Sequence, residues 1–271
     1  MKEFRIRNYE VFSGKIKENR EVRFAFISDL HGLSFGENNC ELVSAIKQCR
    51  PDAILVTGDL NVRTILETLK TAAVLMKGLG ETYPVYYALG NHEYKLAISR
   101  EHQKQYLEYE KYLKECGVHV LRNEKACMKV GSTDFWIHGL EIPLKYYQKP
   151  RSPVLTAKEV QSLVGMPKEE GFHILLAHNP KYGNAYFSWG ADLILSVHYH
   201  GGIWRISEHH GLSCPQYLLL PPFCCGDFHR GEQTMVVSAG LGEHTVPIRI
   251  HNPRELLTVT VKPLEKSTIT M

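Results

Sequence analysis

The 271-residue chain has no apolar run approaching the roughly 18 residues that a membrane span requires. Its N-terminus, MKEFRIRNYEVFSGKIKENREVRFAFISDLH, alternates charged and apolar residues and lacks the apolar core of a secretory signal. Those absences lead us to expect a cytoplasmic protein with no membrane contact. No block of five or six like charges occurs and the net charge is only +3, so no nucleic-acid surface is indicated. The seven cysteines, Cys40, Cys49, Cys116, Cys127, Cys214, Cys224 and Cys225, are odd in number and lack CxxC spacing, which fits reduced thiols rather than a disulfide framework or a zinc knuckle. No GxSxG elbow is present, and neither GLG tripeptide carries the third glycine of a dinucleotide fingerprint.

Five short apolar runs each end in side chains suited to metal ions: SDLH (Asp29, His31), GDL (Asp59), GNHE (Asn91, His92, Glu93), LAHNP (His178) and SVHYH (His198, His200). Between the first two lies a helical stretch, from about Asn39 to Arg50, with Asn38 or Asn39 as its cap and Pro51 at its end. That is a βαβ unit with its polar groups at the ends of parallel strands, where open α/β sheets place their sites. A helix through Ile65, Leu69, Ala73 and Met76 precedes the strand VYYAL, and a further helix covers about 100–116. Short strands follow at 118–121, 126–130 and 134–139, then a helix near 156–164, FHILLA (172–177) and DLILSV (192–197). The tail, TMVVSAG, PIRIH and LLTVTV, reads as three more strands. No linker divides the chain, so we expect a single domain spanning 1–271, with the proline-interrupted segment 209–230 as a lid over the site; its apolar stretch YLLLPPFCC reads as buried in that lid, with docking on a membrane or lipid substrate as the alternative.

A pair of ions needs a bridging carboxylate and a few nitrogen or oxygen ligands on each side, with positions left open for water and substrate. Asp59 is the expected bridge, with Asp29, His31 and His200 on one ion and Asn91, His178 and His198 on the other. Two carboxylates against two divalent ions leave net positive charge, which favours a small phosphoester substrate over a cationic one. His92, beside Asn91, is placed to protonate the leaving oxygen, and Glu93 to orient a neighbouring histidine ring. The other histidines, at 102, 119, 138, 173, 209, 210, 229, 244 and 251, read as structural or exposed, those at 209, 210 and 229 lying in the expected lid. Because ligand histidines must be neutral, metal affinity is expected to fall below about pH 6.5.

Taken in order, these blocks resemble the calcineurin-like metallophosphoesterase superfamily, whose pattern runs D-x-H, G-D, G-N-H-D/E, H and G-H-x-H. The similarity covers nearly the whole chain and extends to the branch of small bacterial phosphodiesterases related to YkuE and YaeI. It implies an α/β fold, a four-layer α/β/β/α sandwich of two mixed β-sheets flanked by helices. It also implies two divalent transition-metal ions (manganese, iron, zinc or cobalt) and phosphodiester hydrolysis, with a metal-bridging hydroxide attacking in line. Two departures stand out: Val197 replaces the glycine before the first histidine, and Ile203 replaces the glutamine of G-H-x-H-G-G-Q. Val197 would tighten a turn for which glycine is suited, and Arg205 is placed either to contact phosphate or as a surface cation. The departures also leave open a non-catalytic relative that only binds metal. An amidohydrolase-type hydrolase fits poorly, because its HxH lies early in the chain.

Overall fold

The computed structural model describes residues 3–264 apart from 18, 19, 150, 216 and 244–247. His244 and part of the PIRIH segment therefore lie outside the described residues. In chain order the strands are β1 (Phe4–Ser13), β2 (Val22–Ile27), β3 (Ala53–Val56), β4 (Val85–Ala88), β5 (Val118–Leu121), β6 (Glu124–Val130), β7 (Thr133–Leu140), β8 (Phe172–Ala177), β9 (Leu193–Ser196), β10 (Gly226–Arg230), β11 (Gln233–Val237) and β12 (Arg254–Pro263). The α-helices are α1 (Cys40–Cys49), α2 (Glu67–Gly80), α3 (Asn91–Ala97), α4 (Gln103–Glu115), α5 (Ala157–Val164) and α6 (Gly183–Trp189). None of them is long and apolar enough to cross a membrane.

Two mixed six-stranded sheets form, ordered β1-β12-β2-β3-β4-β5 and β10-β11-β9-β8-β7-β6. Strands β2, β3, β4 and β5 run parallel in the first, and β7, β8, β9 and β11 in the second. Their nearly unbroken apolar sequences follow from burial on both faces. In β2, Phe24 and Phe26 point into the core between the sheets, where Phe135, Phe172 and Ile174 meet them, while Ala25 and Ile27 face the helices. Helices α1, α2 and α4 cover the outer face of the first sheet through Leu42, Ile46, Leu75, Tyr106 and Leu113. Val160 of α5 and Tyr186 of α6 cover the second, packing on Leu175 and Ile194. Four layers, helix, sheet, sheet, helix, result, as the family pattern implies.

Local differences from the sequence expectation have identifiable causes. Asn39 occupies the cap position of α1, but its side chain accepts the Phe35 N–H at 3.0 Å instead of capping the helix. Of PIRIH, the described residues contain only an isolated bridge between Ile250 and Trp204. Residues 226–230, at the end of the expected lid, form β10 and pair antiparallel with β11. The stretch YLLLPPFCC is divided: Cys224 and Cys225 are buried, whereas Tyr217, Leu219 and Leu220 are exposed.

Candidate metal centre

Every expected site residue follows directly from the C-terminal end of a parallel strand: Asp29 and His31 after β2, Asp59 after β3, Asn91 after β4, His178 after β8, and His198 and His200 after β9. Hydrogen bonds extend the β2–β3 pairing past the strands, from Asp29 N to Gly58 O (3.0 Å), His31 N to Asp59 O (3.1 Å) and Gly32 N to Leu60 O (2.8 Å). The first two ligand loops are thereby locked side by side. Asp29, His31, Asp59, His198 and His200 all have positive φ, near 50°. Non-glycine residues there carry backbone strain that a well-packed surround must offset. Val197 is not among them, so its replacement of glycine needs no strained turn; the left-handed backbone falls on the histidines beside it.

Potential ligand atoms gather in three overlapping groups: Asp29 with His31 and His200; His31 with Asp59 and His92; and Asp59 with His178 and His198. Within each group they lie within 4.8 Å of one another. His200 Nε2 is 2.9 Å from Asp29 Oδ2, and His178 Nε2 is 3.2 Å from Asp59 Oδ2. Ring nitrogens also converge on each other, His31 Nε2 on His200 Nε2 at 3.3 Å and His198 Nδ1 on His178 Nε2 at 3.2 Å. Asn91, the first residue of α3, is buried, and its Oδ1 has no hydrogen-bond partner among the described residues. Convergent nitrogens, two carboxylates and an unsatisfied amide oxygen form a donor set that fits divalent cations.

Neighbouring backbone fixes the proton positions on two rings. His178 Nδ1 lies 2.7 Å from the Thr57 carbonyl, which can only accept, so Nδ1 carries a proton and Nε2 is the nitrogen that faces Asp59. His92 is the opposite case. Its Nδ1 accepts the Arg63 N–H at 3.0 Å, so the neutral ring keeps its proton on Nε2 and presents a donor rather than a lone pair. The His92 N–H in turn donates to Asp59 Oδ1 at 2.7 Å.

Burial and local charge divide the titrations. Burial pushes Asp29 upward and drives His31 down to about 3. Burial also opposes charge on Asp59, but His178 and His92 outweigh it and hold that carboxylate well below its usual range. His178 moves to about 9, because Asp59 and Asp29 overcome the cost of its burial.

Glu93 does not orient a histidine ring. Its buried carboxylate accepts from Asp59 N (2.8 Å), Leu60 N (2.9 Å), Gly90 N (3.2 Å) and the Tyr87 hydroxyl (2.8 Å), tying two ligand loops together. Burial and the nearby Asp59 charge raise it to about 8, although its donors pull the other way. Arg205 is neither a freely exposed cation nor a partner of the ligand cluster in any hydrogen bond or ion pair seen among the described residues. It is half-buried and donates to Glu255 at 2.7 Å, and Glu255 also takes Arg7. His209, His210 and His229 line a separate groove with Phe223 and Phe228. Two residues near the cluster escaped the sequence analysis. Asn252 Nδ2 donates to the carbonyls of His200 and Gly202, and Arg249 Nη2 lies 3.5 Å from His200 Nδ1.

The family profile described as calcineurin-like phosphoesterase matches residues 22–206, which contain every member of the cluster. The chain belongs to that family. Among curated relatives, it is 28% identical over 247 residues to the transmembrane protein with metallophosphoesterase domain of Danio rerio, covering 89% of this chain and 53% of that one. An uncharacterized metallophosphoesterase of Aquifex aeolicus is 25% identical over 263 residues, covering 95% and 92%. The chain thus spans about half the length of the first relative and nearly all of the second. Among solved structures, sulfate thiohydrolase SoxB of Thermus thermophilus superposes with a TM-score of 0.53 at 16% identity, over 81% of this chain and 52% of that one. The NAD nucleotidase of Haemophilus influenzae gives 0.53 at 16%, over 82% and 45%. At that identity the likeness is one of fold, and these family folds share the two-sheet sandwich.

Proposed function

We propose that the chain is a dinuclear metal-dependent phosphoester hydrolase. The observation supporting this is that Asp59 has an oxygen within 4.8 Å of nitrogens of His178 and His198 and also one within 4.8 Å of a nitrogen of His31, while His92, beside it, holds a proton on Nε2. Asp29, His31 and His200 would hold one ion and Asn91, His178 and His198 the other, with Asp59 available to both. Manganese, iron, zinc or cobalt suits this mixture of imidazole and carboxylate. Bound ions would bring a shared water to hydroxide near neutral pH and draw negative charge from the phosphate oxygens.

The chain's own groups supply the rest. Thr57 O keeps the lone pair of His178 Nε2 aimed into the cluster, and the His92 N–H fixes one oxygen of Asp59. His92 Nε2–H protonates the departing oxygen, a contribution typically worth about 10² to 10⁴ in rate. Phosphodiesters are favoured over monoesters on the resemblance to the small bacterial branch, and seven cysteines without CxxC spacing agree with a cytoplasmic setting.

The test is metal analysis of protein purified without chelator, together with hydrolysis of bis(p-nitrophenyl) phosphate. Up to two ions per chain and measurable turnover are expected. Asp59→Asn loses both together, whereas His92→Ala keeps metal and loses most turnover. Full turnover in the Asp59 variant would remove the proposal.

A further inference from the structure

Beside His200 opens a cavity of about 320 Å³ whose walls include Tyr199, Ile203, Cys214, Tyr217, Leu219 and Ile248. Its lining is mainly apolar, yet it begins at a ligand histidine and carries two cations, Arg249 and Lys149. Arg249 is held by the carbonyls of Ala239 (2.9 Å) and Gly242 (2.6 Å) through Nη2, while its buried Nη1 has no hydrogen-bond partner among the described residues. This half-buried guanidinium, whose Nε lies 3.9 Å from Glu243 Oε2, keeps a donor that a further anion would match.

The apolar rim opposite is built rather than frayed. Leu220 N donates to Leu212 O (3.0 Å), Cys214 N to Leu218 O (3.2 Å), and Ser213 bridges Leu219 antiparallel. Together these bonds pair residues 212–214 with 218–220, and there Tyr217 is 73% and Leu219 77% exposed. Lys149, which also lines the cavity, reaches over the Tyr217 ring, 5.0 Å from its centroid. Apolar side chains held out to water around a cavity mouth signal an apolar ligand. Ile203 places a hydrocarbon wall where the family pattern carries a glutamine amide.

We propose that this cavity seats the hydrocarbon part of the substrate, so that the ester hydrolysed is amphiphilic. Its phosphate sits at the Asp29 and Asp59 cluster with Arg249 and Lys149 beside it, and its alkyl or acyl chain runs between Ile203, Tyr217, Leu219 and Ile248. The inference rests on the phosphoesterase proposal for its chemistry, but the cavity can be tested without turnover.

The experiment measures dissociation constants of alkylphosphonates from ethyl to dodecyl on the manganese-loaded protein by calorimetry, below their micellar concentrations, with adenosine monophosphate as the comparison anion. Affinity should rise roughly threefold to fourfold per buried methylene until the cavity is filled. Dodecylphosphonate should bind at least roughly 100-fold tighter than ethylphosphonate on the same scale. Leu219→Ser, at an exposed position, and Ile203→Gln, which reinstates the glutamine of the pattern, should both flatten the series. A series that is flat in the wild type, or tighter binding of adenosine monophosphate than of dodecylphosphonate, overturns the inference. Chain-dependent binding without any hydrolysis of bis(p-nitrophenyl) phosphate would instead sink the phosphoesterase proposal and leave the cavity assignment standing.

Discussion

Glu93 accepts the backbone N–H of Asp59 at 2.8 Å, so the loop that carries Asp59 hangs on a carboxylate from the neighbouring strand end. The same carboxylate takes Leu60 N and Gly90 N, which makes it the joint between two ligand loops. Glu93→Gln keeps the shape but turns an amide donor toward one of these N–H groups. Leaving a buried donor unpaired typically costs about 1–3 kcal/mol. A urea titration should show a loss in that range, accompanied by weaker metal retention, whereas unchanged metal content would show that Asp59 does not depend on this joint.

Gly90 is required for space rather than for its backbone angles, since its φ of −87° suits any residue. A Cβ there would lie 2.2 Å from Asp59 Oδ1 and 2.5 Å from Asp59 N. Gly90→Ala should therefore displace Asp59, reducing bound metal well below the wild-type stoichiometry while circular dichroism stays native. Overpacking of this kind costs about 1–3 kcal/mol.

His178 sets a proton inventory for metal binding. In the metal-free protein it titrates near 9, because Asp59 and Asp29 outweigh its burial. An incoming cation at pH 7.5 must displace that proton. Calorimetry in buffers of different ionisation enthalpy should thus record about one proton released from this group. Affinity should climb about tenfold per pH unit toward pH 9, above the window near 6.5 expected of an ordinary histidine. Heats independent of buffer would contradict this.

A second histidine pair, remote from the ligand cluster, contributes to acid lability alongside other histidines that burial lowers, such as His31. His173 Nε2 lies 2.9 Å from the Glu169 carbonyl and so donates, which makes His173 Nδ1 the acceptor for His138 Nε2–H at 3.1 Å. Burial, and then His173, lowers His138 to about 4. Between the unfolded value of roughly 6.5 and the folded one, the unfolded chain holds more protons, so stability falls as pH drops through that window. The contribution is on the order of 3 kcal/mol. His138→Gln should remove that part of the pH slope in urea midpoints taken between pH 7 and 4; an identical slope would refute the assignment.

Much of the centre was legible because each ligand sits one to four residues past an apolar strand, a strictly local signal. Strands β2, β3, β4, β8 and β9 were visible for the same reason. Strand β1 was not, since it pairs with β12 at the far end of the chain and half its side chains face solvent. Helix α3 was hidden behind its own ligand: Asn91 opens it, and the Glu93 side chain returning to Gly90 N supplies the cap. Arg249 sits in a segment that reads as a strand, and only the folded chain brings it to His200. Arg205 carried the reverse problem, being adjacent to the ligand loop in sequence while its partner, Glu255, lies 50 residues on.

Asp29, Asp59 and Asn91 ride on one sheet, and His178, His198 and His200 on the other. The sandwich interior around Phe24, Phe135 and Phe172 therefore works as a vernier, reading the alignment of the sheets directly into the spacing of the cluster. Trimming a ring there would blur the separation of the two half-sites without touching any of their atoms.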